Sequence, residues 1–137
     1  MALPSTHEAL IYLMVITSAS DRDMTNVELG RIGEIVRSWP IFVDFDDNKL
    51  VETARACQVL LHEPAGLSGA LALVGKVLPH RLHDTAYALA FEVASVDLEM
   101  RFEELRVLQL MREHLELDSV TIGALELATK ARHRTLT

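Results

Sequence analysis

The chain has 137 residues, half of them apolar, with 13 Lys plus Arg against 20 Asp plus Glu and a formal net charge of −7. That length and apolar content suit one globular domain, able to bury roughly two thirds of its unfolded surface, and exclude a disordered chain. The excess of acid excludes a phosphate-backbone binder, which needs a dense Lys/Arg surface, and a domain that docks on an anionic bilayer.

Leu, Ala, Val, Ile and Met dominate the apolar set and only 5% of residues are aromatic, a composition that favours an all-α fold. Caps and breakers then give about seven helices in chain order. Ser5 with Glu8 is a capping box that opens a first helix from about Thr6 to Ser20. Thr25 with Glu28 is a second box, opening a helix to about Trp39 that Pro40 stops. Asp46, Asp47 and Asn48 offer N-caps for a third helix ending near His62. Pro64 starts a fourth that ends before Pro79, and a fifth runs from about His80 to Val96. A sixth extends from about Arg101 to Leu115, and Asp118 caps a seventh from about Ser119 to Ala131. The first and fifth are apolar nearly all round, which predicts that they form the centre of the domain.

The apolar run from Ala9 to Ile16 is too short to span a bilayer, and that from Leu67 to Leu78 is interrupted by Lys76. The N-terminal segment also lacks a basic residue before its apolar run, so it does not read as a secretory signal. Cys57 is the only cysteine, which excludes an intramolecular disulfide and a Cys-rich zinc site and points to a reducing, cytoplasmic setting.

An internal repeat organises the chain. Shifted by 76 positions without a gap, His7 falls on His83, Leu13 on Leu89, Asp21 on Asp97, Met24 on Met100, Glu28 on Glu104 and Leu29 on Leu105. The repeat covers residues 7–41 and 83–117 of a single domain, 1–137. Each unit reads as an apolar helix, a short acidic loop and a second helix, and two such units can pack as a pseudo-twofold pair.

The acidic loops are where chemistry is expected. Asp21, Asp23 and Glu28 in the first unit recur as Asp97, Glu99 and Glu104 in the second. Helical side chains lean toward the N-terminus, so each Glu can reach back over its own loop and three carboxylates can converge. Hard cations prefer such oxygen donors, which favours Ca²⁺ or Mn²⁺ over Zn²⁺. Asp at a turn and Glu in a capping box are also ordinary helix-start signals. Capping alone does not explain the second unit, where Arg101 stands in place of Thr25 and the acid at Glu104 remains.

The run from Thr17 to Thr25 with Glu28 and Leu29, and its counterpart from Ala94 to Met100 with Glu103, Glu104 and Leu105, resemble the tellurite-resistance TerB family over nearly the whole chain. The resemblance implies a compact all-helical domain of two related halves, divalent metal at Asp21, Asp23, Glu28, Asp97, Glu99 and Glu104, and no enzymatic activity. It also implies a role in stress response with a membrane-associated protein partner. Arg22 and Leu98 stand where the family carries Gly after the first Asp. Tellurite itself is an oxyanion that clustered carboxylates repel, and a lone thiol cannot form a disulfide on reducing it, so any protection is expected to be indirect.

Other groups read as structural: Asp44, Asp46 and Asp47 as caps, Cys57 as a small core residue, Trp39 and Phe42 as a closure of the first unit, and the basic residues from Lys130 to Arg134 as a complement to a helix C-terminus. His80 and His83 have zinc-ligand spacing but no third ligand nearby. The expected function is a metal sensor or metal-dependent interaction module without turnover. The alternative is a metal-independent scaffold whose acidic face docks a basic protein. A metal-water hydrolase ranks third, for want of a repeated base near the acids.

Overall fold

The structure, a computed structural model, describes residues 3–19, 22–95 and 102–137, apart from the side chains of 102 and 103. Among the described residues all regular structure is helical: α1 (Thr6–Ala19), α2 (Asn26–Ser38), α3 (Leu50–His62), α4 (Gly66–Val77), α5 (His83–Ala94), α6 (Phe102–His114) and α7 (Ser119–Arg132). The chain is therefore all-α. None of these helices is long and apolar enough to cross a membrane.

Local chemistry sets the helix ends. At α1, Glu8 N–H donates to Ser5 Oγ at 3.1 Å and Ser5 N–H donates back to Glu8 Oε1 at 2.8 Å, a closed capping box. Thr25 and Glu28 make the same reciprocal pair at α2, with 3.1 and 2.9 Å bonds. Pro40 disfavours a helical residue before it, so Trp39 turns extended at ψ 131° and α2 stops. Asp118 caps α7 through the Thr121 N–H at 2.7 Å.

Three starts differ from the sequence expectation, each for a local reason. Asp46 caps a 3₁₀ turn, Asp47–Lys49, and α3 begins only after it. A second such turn, His80–Leu82, follows the extended Pro79 and defers α5 to His83. Gly66 takes a left-handed φ of 52° at the start of α4, two residues past Pro64, a conformation strained for side chains with a Cβ.

Helix α1 runs through the middle. Every residue from Ala9 to Ala19 is buried, because α1 packs on α2, α3, α4, α5 and α6. Its buried Thr17 hydroxyl donates to the Leu13 carbonyl at 2.8 Å, so this hydroxyl enters the core with its bond made. Helix α5 lies against α1 and is covered by α6 and α7. Helix α2 spans Asn26–Ser38 and α6 spans Phe102–His114, the same bounds 76 positions on. Helix α1 packs on α2 and α3 as α5 packs on α6 and α7. Helix α4 bridges α3 and α6 across the two sets.

Leu13 and Leu89, equivalent in the repeat, are 1% and 0% exposed. Truncating either to Ala should cost about 2–5 kcal/mol, whereas Val120→Ala, at a position 79% exposed, should stay within about 0.5 kcal/mol. Urea denaturation of the three variants checks this; a small loss at either leucine would place the core elsewhere.

Candidate metal loops and the surrounding polar groups

Of the six expected metal ligands, Asp21, Asp97 and Glu99 lie outside the described residues. The other three are placed as follows. Asp23 is exposed on the loop between α1 and α2, while Glu28 and Glu104 stand at the same helical position, in the first turn of α2 and of α6. Glu104 is 5% exposed. Among the described residues no group of three His, Cys, Asp or Glu side chains is close enough to share a metal ion.

The first loop is organised by Arg22. Its guanidinium forks onto the Glu28 carboxylate, Nη1 to Oε1 at 2.9 Å and Nη2 to Oε2 at 2.7 Å. The same group donates to the Ser18 carbonyl of α1 at 3.2 Å and to the Asp23 carbonyl at 3.1 Å. One side chain thus laces the end of α1 to the start of α2. Gln58 of α3 donates to the Arg22 carbonyl at 3.3 Å and ties the loop to its neighbour. Planar bidentate pairing of this kind is the strong form of an Arg–carboxylate contact. Partial burial pushes the Glu28 carboxyl up, but the bonds from Arg22 and Thr25 outweigh it and hold it down at about 2. Both Glu28 oxygens are engaged, so a divalent cation that used them would have to displace the guanidinium.

Polar clusters that the sequence did not announce hold the second unit together. Tyr87, fully buried on α5, donates its hydroxyl to Glu126 of α7 at 2.6 Å and accepts from Arg112 of α6 at 3.0 Å. Burial, then the Glu126 carboxylate, pushes the phenol up to about 12 despite the opposing pull of Arg112. Glu92 of α5 takes both Arg132 and His133 at the C-terminal end of α7. A signal for these was present: a tyrosine and a glutamate in the body of an otherwise apolar helix each need a partner. The sequence does not say which.

His83 is buried with both ring nitrogens used. The Glu116 N–H donates to Nδ1 at 3.0 Å, which leaves Nε2 to donate to the Leu78 carbonyl at 3.4 Å. His80, exposed beside it, meets the Glu116 carboxylate at 3.1 Å. The pair fastens the start of α5 to the α6–α7 link and leaves no ring nitrogen of His83 for zinc. Cys57 is fully buried, its thiol 3.7 Å from the Tyr12 carbonyl and pushed up to about 12 by burial, which makes it an inert core group.

No family model matches the chain, and no curated protein or solved structure is significantly similar to it.

Because the folded carboxyl of Glu28 is held below its unfolded value of 4.5, at about 2, its contribution to stability is present at neutral pH and is lost as pH falls through that window. Glu28→Gln should therefore be less stable than wild type at pH 7, by about 1 kcal/mol for a pair near the surface. The gap should narrow steadily toward pH 2. Urea midpoints measured across this range check it, and a gap independent of pH would show that Glu28 acts only as a cap.

Proposed function

We propose that the chain is a TerB-like, non-enzymatic module that binds a divalent cation, Ca²⁺ or Mn²⁺ rather than Zn²⁺, through Asp21, Asp23 and Glu28 and through Asp97, Glu99 and Glu104. It acts as a metal sensor or a metal-dependent interaction domain in a stress response. The observation that carries this reading is the repeat of acids and helices at one offset. Carboxylates recur 76 positions apart in the sequence, and the helices that carry Glu28 and Glu104 begin at the same offset. Capping chemistry does not recur with them, since Arg101 occupies the Thr25 position. All six side chains are oxygen donors, the set that hard cations prefer.

A second reading, a metal-independent scaffold whose acidic face docks a basic protein, is favoured by one specific feature. The Glu28 carboxylate already has a cation in the Arg22 guanidinium, so the first loop can be closed without an ion. The excess negative charge of the chain suits a basic partner.

Thermal melts separate the two. Under the cation reading wild type gains stability in excess Ca²⁺ or Mn²⁺ over EDTA, by about 2.7 kcal/mol at a hundredfold excess over Kd. The double variant Asp21→Asn with Asp97→Asn shows no response, and Arg22→Gln, which releases Glu28, binds the ion more tightly. Under the scaffold reading wild type melts alike in EDTA and in either ion, and Arg22→Gln is destabilised under every condition. Calorimetry of wild type with each ion, showing no heat at millimolar concentration, would exclude the cation reading.

A further inference from the structure

Helix α7 rests on α5, with Thr129 buried and Ile122 and Leu125 packed against the core. In a helix whose other side faces water, that side is ordinarily polar. Here it is not. Val120, Gly123, Ala124, Leu127, Ala128 and Ala131 are all exposed, and at about 3.6 residues per turn they fall in one sector about 140° wide that contains no charged residue. Val120 is 79% and Leu127 61% exposed, and a Cβ added at Gly123 would meet nothing within 4 Å. The face is held on a fixed element. Asp118 caps one end through the Thr121 N–H at 2.7 Å, and Glu92 of α5 takes Arg132 and His133 at the other. A continuous apolar face of this kind marks a surface for another protein chain.

Two features of the face say which chain covers it. The first is size. Val120 and Leu127 are large and the other four residues are small. In a second copy laid antiparallel, with the twofold axis passing between residues 125 and 126, Val120 stands over Ala131, Leu127 over Ala124 and Gly123 over Ala128 of the second copy. Each large side chain meets a small one, which lets two helices approach to the lower end of their usual about 8–10 Å separation. The second is charge. Asp118 stands before the helix and Lys130 and Arg134 at its far end, and among the described residues neither Lys130 nor Arg134 makes an ion pair. The antiparallel register brings the acidic end of each helix beside the basic end of the other and opposes the two helix dipoles. A parallel pair would stack Val120 on Val120, Leu127 on Leu127 and like charges on like.

We propose that the outer face of α7 is a homodimer surface, on which a second copy of this chain lays its own α7 antiparallel about a twofold axis. With 14 residues, α7 is about 21 Å long and about 10 Å wide. That footprint is well below the about 800 Å² per partner of a standard interface, and each copy carries a net charge of −7, so the dimer is weak and forms only at high concentration.

Sedimentation velocity of the full chain, kept in EDTA so that the result is independent of the cation loops, is followed from about 10 µM to about 1 mM, the range of a weak interface. Wild type should shift from monomer toward dimer. Leu127→Glu should stay monomeric throughout. Val120→Glu, which places an acid where the helix N-terminus favours one, should do the same and repeats the test at a second exposed position. Val43→Glu, at a residue 81% exposed elsewhere on the molecule, should dimerise like wild type. Geometry is read by cross-linking, because Cys57 is fully buried and an added cysteine is the one accessible thiol. An equimolar mixture of Val120→Cys and Ala131→Cys chains, oxidised and resolved by mass, should give the mixed disulfide in excess over either homodimer. A wild type that stays monomeric at about 1 mM, dimerisation unchanged by both glutamate variants of α7, or a dominant Val120→Cys homodimer, the mark of a parallel pair, would each overturn the proposal.

Discussion

Helix α1 is apolar on every face, so no single neighbour can take its surface out of water. Five other helices pack on it, and each of them is held where α1 needs cover. Helix α5 is the second such core element and lies against the first. Two buried rods side by side leave little choice for the rest. The remaining helices must wrap around them with their own apolar stripes inward, and their polar faces form the surface. Apolar burial contributes about 25 cal/mol per Å², and many of the side chains that supply it, such as Leu10, Met14, Ile16 and Leu89, are on these two helices.

A core of this kind disfavours unpaired charge, and much of the polar chemistry gathers at helix ends. Arg22 and Glu28 join the end of α1 to the start of α2. His83 and Glu116 join the start of α5 to the chain after α6, and Glu92 holds the end of α7. The Tyr87 and Thr17 hydroxyls enter the interior with their bonds made. An unpaired hydroxyl there would cost about 1–3 kcal/mol. The first acidic loop belongs to this periphery too, with Asp23 exposed on it and Glu28 paired to Arg22.

Arg22 shows how far local pattern reaches. The capping box of Thr25 and Glu28 is a short-range rule, and both of its bonds form as the spacing demands. The fork from Arg22 onto the same carboxylate depends on how the loop turns between two packed helices and on Gln58 reaching over from α3. No periodicity encodes that. The arginine brings a charge into the loop together with a side chain long enough to reach Glu28.

The sequence by itself determined the helical class, the order of the helices and most of their ends, and the identity of the two central helices. These follow from short-range causes: caps, proline, and the distribution of apolar residues around a helix. Only the tertiary structure decided the partners. Tyr87 with Arg112 and Glu126, and Glu92 with Arg132 and His133, are separated by 25 to 41 positions in the chain. Which of the many exposed charges meet depends on the angles at which helices pack, and those angles are set by the fit of whole side-chain surfaces rather than by any local run of residues.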